Sequence, residues 1–178
     1  DGSSEWGNAG WGPDCSDGSD ENFDDCCASG SYADDLCNPP SFEAANLFFS
    51  EAAEGSSNNK YLEIYNATDG DVDLSDYSLS SCSNGCDEVG AWDYQDNVTF
   101  DATVAAGDVY VVCHGSADEF ILAECDQTFT YLSNGDDVFA LTVAGGGVVL
   151  DVIGLVGDDP GSGFDVAGVS NATKDHTI

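Results

Sequence analysis

The chain of 178 residues carries 35 Asp and Glu against two lysines, Lys60 and Lys174, and no arginine, a formal charge of −33. Affinity for bare nucleic acid or anionic membrane comes from Lys and Arg, so direct contact with either is excluded. An apolar fraction of 42 %, with nine Phe, seven Tyr and three Trp, argues against disorder, and no run of 18 apolar residues offers a membrane-spanning helix.

Residues 1–41 are rich in Gly, Ser, Asp and Cys and hold hardly an aliphatic side chain beyond Leu36. Such a segment buries too little apolar surface to offset its ordering entropy, so an acidic, irregular, Cys-rich arm held by other means is expected. Cys15, Cys26, Cys27 and Cys37 supply thiols for two local bridges, whose pairing stays open. Cys26 and Cys27 do not bridge each other: a disulfide needs Cα atoms about 4.4–6.8 Å apart, and neighbours sit about 3.8 Å apart. The window from Asp14 to Asp25 holds six carboxylates in twelve residues, Asp17, Asp20, Glu21 and Asp24 among them, with no cation nearby. Ca²⁺ takes six to eight oxygens, which closely spaced acids on a Gly-rich loop can supply, so calcium is the expected cofactor.

Residues 42–178 read as all-β. Asn46–Glu51 is an apolar run and Tyr61–Asn66 alternates with period two. Tyr77–Ser80, Val98–Phe100, Val109–Val112, Thr128–Tyr131, Val138–Val143 and Val148–Ile153 follow, punctuated by Gly, Asn and Asp. Ala144–Gly147 reads as a hairpin loop and Ala117–Ala123 as one or two helical turns. Eight or nine short strands over this length predict an antiparallel β-sandwich. Cys113 and Cys125 flank the short helix and are expected to staple it; Cys82 and Cys86 are expected to close their own loop.

Several blocks of this region resemble bacterial lamin tail domains over roughly residues 45–178. They are Leu47–Asn66, Val72–Leu79, Ser133–Asp137 and Gly157–Gly168. The resemblance implies an immunoglobulin-like β-sandwich of a family often appended to secreted nucleases and other surface proteins. It also implies a binding or anchoring module without catalytic residues of its own. In the arm, Asp14–Glu21 is similar to the calcium half of a low-density lipoprotein receptor class A repeat. That likeness would place Gly12, Asp14, Asp20 and Glu21 around one Ca²⁺.

Other patterns are weaker. Asp69–Ser80 fails as an EF-hand loop, with Leu74 in place of the invariant Gly and Ser80 in place of the closing Glu. Asp158, Asp159 and Asp165 form an acidic turn around Pro160, a second candidate metal site that turn chemistry also explains. His114 and His176 are too far apart for zinc by spacing, and with two lysines and no arginine to orient a substrate no enzyme is expected. Trp6, Trp11, Trp92 and Tyr94 fall outside the strand pattern and are candidate binding aromatics, whether as packing over the sandwich, anchors into a second copy or a sugar platform. Asn66, Asn97 and Asn171 head N-glycosylation sequons.

Eight cysteines, the charge and an opening on Asp1 without any Met predict a secreted protein of saline surroundings, freed of a signal peptide. A chain of 18.5 kDa exposes roughly 8,000 Å² when folded, so its charges lie about 16 Å apart on average. Salt screens that spacing, the Debye length being about 8 Å at physiological strength. The expected role is a secreted, calcium-binding, non-catalytic structural protein that assembles with its own copies into a filament or layer. The alternatives are a carbohydrate- or cell-surface-binding module and an accessory domain of a secreted nuclease.

Overall fold

The computed structural model describes residues 46–178 except Val89, Gly146, Gly147 and Asp158; the expected arm, with Cys15, Cys26, Cys27 and Cys37, lies outside them. Ten strands build the described region. β1 (Leu47–Glu54) pairs antiparallel with β2 (Lys60–Asn66), and β2 pairs antiparallel with β7 (Val109–Cys113). β4 (Tyr77–Cys82) lies between β5 (Tyr94–Thr99) and β9 (Val138–Val143), and β9 continues into β10 (Val149–Ile153). With β8 at Gln127–Thr128, the orders β1-β2-β7-β8 and β10-β9-β4-β5 define two four-stranded sheets. A two-residue pair, β3 (Val72–Asp73) with β6 (Thr103–Val104), stands apart from both.

Alternation explains the faces. In β2, Leu62 and Ile64 are buried while Tyr61, Glu63 and Tyr65 are half-exposed, the period of a strand with one wet side. Leu62, Ile64, Tyr110 and Val112 from one sheet share a core cluster with Tyr77, Leu79, Val98, Phe139 and Leu141 from the other. The two sheets therefore form a sandwich. Burying each of the fully enclosed Ile64, Leu79, Val112 and Leu141 contributes about 1.5–3 kcal/mol. Phe49 N donates to Asp151 Oδ2 over 2.8 Å, linking the edge strands β1 and β10 of opposite sheets.

The predicted strands and the β9–β10 hairpin are present, with four departures. β3 and β6 are too short to show any alternation. β5 begins at Tyr94 rather than Val98, because the pairing with β4 slips between Leu79 and Ser81 and admits extra residues. β8 is confined to Gln127–Thr128, and Phe129–Tyr131 leave the sheet. β8 also lies parallel to β7, so the sandwich is not wholly antiparallel. The link between them is a crossover holding α1 (Glu119–Leu122), and Cys113–Cys125 spans it with a Cα–Cα distance of 5.8 Å. A parallel return needs a connection of about this length.

Beyond β10 the chain comes back to β1. Ala52 and Ile178 exchange both backbone hydrogen bonds at 2.9 Å, Glu54 N donates to His176 O, and Ala53 bridges Thr177 antiparallel. Residues 176–178 thus cap one edge of the first sheet.

Candidate ligand-binding site

The loop Ser133-Asn134-Gly135-Asp136-Asp137, between β8 and β9, organises one end of the sandwich. Lys60, one of two cations in the chain, is buried at the start of β2 and reaches into it. Its Nζ donates to Ser133 O at 2.8 Å and Asn134 Oδ1 at 2.5 Å and lies 3.4 Å from Glu54 Oε1. Two hydrogen bonds and an ion pair engage the ammonium within the fold. Gly135 takes φ +100°, and a Cβ there would come within 2.9 Å of Lys174 Cα, so only glycine fits the turn. Thr173 Oγ1 donates to Gly135 O at 2.6 Å and accepts from Phe164 N at 2.7 Å, tying the loop to the last segment.

Above this clamp stands Tyr131, 78 % exposed, its ring meeting Phe129 edge-on at 5.9 Å. A hollow of about 240 Å³ opens on one side, floored by Phe139 and Cys82 and walled by Tyr94, Asn97, Ser81 and Ser83. A second, of about 260 Å³, opens beside the same ring among Thr130, His114, Asn134 and Asn58. Asp137 lines both. The slip in β5 turns Tyr94 outward at 53 % exposure and sets Asn97 Nδ2 on Ser81 Oγ at 2.8 Å. Asp137 Oδ1 accepts from Asn84 N at 2.9 Å and Ser83 Oγ at 3.2 Å, which fixes the carboxylate between the hollows.

The sequence candidates distribute as follows. Tyr94 reaches the cleft, opening β5 rather than lying in a loop. Trp92 is half-buried and packs against the cluster of Cys82, Val138 and Phe164. Trp6 and Trp11 lie outside the described residues, as do Gly12, Asp14, Asp17, Asp20, Glu21, Asp24 and Asp158. Asp159 Oδ1 accepts from Gly161 N at 2.6 Å and Asp165 Oδ1 from Asn171 N at 2.9 Å, so both serve turns. Among the described residues no three His, Cys, Asp or Glu side chains are placed to hold a metal. Disulfides Cys82–Cys86 and Cys113–Cys125 are both formed. His114 Nδ1 accepts from Ser116 N, and His176 Nδ1 bonds to Lys174 O, each within its own loop.

The sequons have structural reasons of their own. Asn66 is fully buried, its Nδ2 donating to Gly70 O, Val104 O and Ala105 O while Oδ1 accepts from Thr68 N and Oγ1. No glycan fits there in the folded chain, which corrects that candidate. Asn97 is half-buried on Ser81, whereas Asn171 is exposed with φ +51°, a conformation Asn tolerates well.

Carboxylates set the local electrostatics. Burial, together with Glu51 and Glu63, pushes the Tyr61 phenol up to about 12; its hydroxyl donates to Glu51 Oε2 at 2.7 Å. Ser78, donating from 2.6 Å, holds Asp96 below the usual carboxylate range. Asp96 also accepts from Gly145 N and so fastens the β9–β10 hairpin to the β5 irregularity.

A two-sheet sandwich with many of its polar side chains absorbed by turns, and a cleft of aromatics and amides at one end, defines an immunoglobulin-like β fold. The sequence profile of the lamin tail domain matches residues 40–157, and the chain belongs to that family. The match ends short of the 158–178 segment that returns to β1. A search of curated proteins finds no match.

Proposed function

We propose that this chain is an extracellular, non-catalytic structural module that joins copies of itself through β10. The edge position of that strand carries the reading. Residues 138–157 contain one carboxylate, Asp151, where an even spread of 35 acids over 178 residues would place about four (20 × 35/178). Val149 and Val152 on β10, with Val148, Leu155 and Val156 flanking it, are exposed. An apolar edge strand is a template for pairing with another chain, and this one is the least charged stretch of an otherwise anionic surface. Asp151 points inward to Phe49 N and also accepts from Val152 N, and a bulge interrupts β10 after Val149; both limit uncontrolled growth.

The two disulfides support an oxidising, non-cytoplasmic setting, and among the described residues no helix is long and apolar enough to cross a membrane. Repulsion between copies each at −33 calls for screening, which salt supplies together with Ca²⁺ taken up by the carboxylates of Asp14–Asp25. Sedimentation velocity in 0.5 M NaCl with 5 mM CaCl₂ tests the reading. The intact protein should form oligomers, and Val152→Lys should leave it monomeric with an unchanged melting temperature. A monomer at all concentrations before the substitution, or oligomers that survive it, would overturn the β10 contact. Oligomers unaffected by EDTA at constant ionic strength would remove calcium from the account.

A further inference from the structure

We propose that the paired hollows flanking Tyr131 bind a neutral oligosaccharide, laid across that ring with one sugar unit on either side. Each hollow, at about 240 and 260 Å³, is smaller than the roughly 300–1,000 Å³ of sites for drug-sized molecules, which suits one sugar ring apiece. They are open, adjacent and share Asp137, Ser83 and Tyr131, so a ligand that fills both must pass over the tyrosine. Tyr131, 78 % exposed, presents its ring at the mouth of both hollows, and the axial C–H groups of a pyranose pack on such aromatic faces. Tyr94, at 53 % exposure, adds a second ring to the first hollow.

The polar groups select the chemistry. Sugar hydroxyls both donate and accept, and the walls offer both: the Asn97 amide, Ser81 and Ser83 on one side, Thr130, Asn58 and Asn134 on the other. Asp137 uses Oδ1 for Asn84 and Ser83, while Oδ2 has no hydrogen-bond partner among the described residues and is available to two adjacent hydroxyls. Lys60 lines the second hollow, but its ammonium is engaged by Ser133, Asn134 and Glu54, so no free lysine is left for an acidic sugar or a phosphate. The carboxylate and the −33 charge oppose those ligands as well. A quaternary ammonium would satisfy the rings and Asp137 yet leave the amides and hydroxyls unpaired. The cleft uses no residue of β10, so it stands apart from the self-association proposed above.

The test titrates the whole chain with cellotriose, maltotriose and chitotriose, with choline and glucuronic acid as charged comparisons, by NMR of labelled protein and by calorimetry. At least one neutral trisaccharide should bind and perturb residues on both sides of Tyr131. Tyr131→Ala should weaken that binding about tenfold or more, and Tyr131→Phe, which keeps the ring, should retain most of it. Tyr131 is exposed, so neither variant should disturb the fold, which the melting temperature checks. No binding of any neutral trisaccharide, equal binding by Tyr131→Ala, or binding of choline or glucuronic acid in preference would overturn the proposal.

Discussion

Asn66 shows how much a single side chain carries in this domain. Its amide fills a fully buried site, its two N–H groups shared among three carbonyls and its oxygen accepting twice, joining the end of β2 to the turn at Gly70 and to Val104 and Ala105 at the end of β6. Replacing it with Ala removes every bond of this buried amide, each worth about 1 kcal/mol net; Gly70 O keeps Thr68 Oγ1 and Ala105 O keeps Asp108 N, while Val104 O loses its Asn66 donor in a buried setting. Asn66→Ala should therefore destabilise the domain by roughly 2–4 kcal/mol, read as a lower urea midpoint with unchanged slope. The same residue illustrates a limit of sequence reading. Asn-Ala-Thr is a glycan acceptor and equally a local cap whose Thr68 bonds back to Asn66, and only burial separates the two. Tyr131 is the opposite case. Its place at the end of an apolar, alternating run reads as a strand, yet the pairing ends at Thr128 and leaves the ring outside.

Among the elements, β2, β4, β7 and β9 were legible because each is long enough for period-two burial or a continuous apolar run to appear. β3 and β6, two residues each, have no period to read and exist because the partner is brought to them by tertiary structure. The parallel β8 was illegible for another reason: direction is set by the crossover and its staple, neither of which a strand pattern encodes. Cysteine spacing did point to that staple. Closing twelve residues, Cys113–Cys125 constrains the unfolded chain by about 2–3 kcal/mol on loop-entropy grounds. Since α1 has four residues, none buried, it has little else to hold it. The pair Cys113→Ser with Cys125→Ser should lower stability by about that amount and raise hydrogen exchange across residues 114–126, with β2 and β4 still protected. Equal loss of protection throughout would contradict a local role.

At the scale of the molecule, charge is the dominant fact, and it was fully present in the composition. Among the described residues one ion pair, Lys60–Glu54, faces a surface of carboxylates, most of which cap turns or meet solvent. Folding therefore gathers like charge, and stability should climb with ionic strength until the Debye length falls below the spacing between acids. Raising NaCl from 0.01 to 0.5 M should lift the melting temperature by roughly 5 °C or more, with sulfate and chloride salts agreeing at equal ionic strength once ion exclusion is allowed for. A flat response in differential scanning calorimetry would mean that bound cations, rather than diffuse screening, already neutralise the fold. The cleft was only half legible at this scale. Tyr94 stood out as an aromatic in a polar setting, but Asn97 meets Tyr131 and Asp137 only because a slipped register and a lysine clamp bring two distant stretches to one end.

The three-residue return onto β1 has a mechanical meaning. Because residues 176–178 run opposite to β1, the chain leaves Ile178 in the direction from which it enters at Leu47. A load drawing those two points apart meets the Ala52–Ile178 bonds first and the Glu54–His176 bond afterwards, in single file, like a zip rather than a shear seam. The strap would yield under weak tension and bare the rim of the first sheet while the sandwich behind it stayed closed.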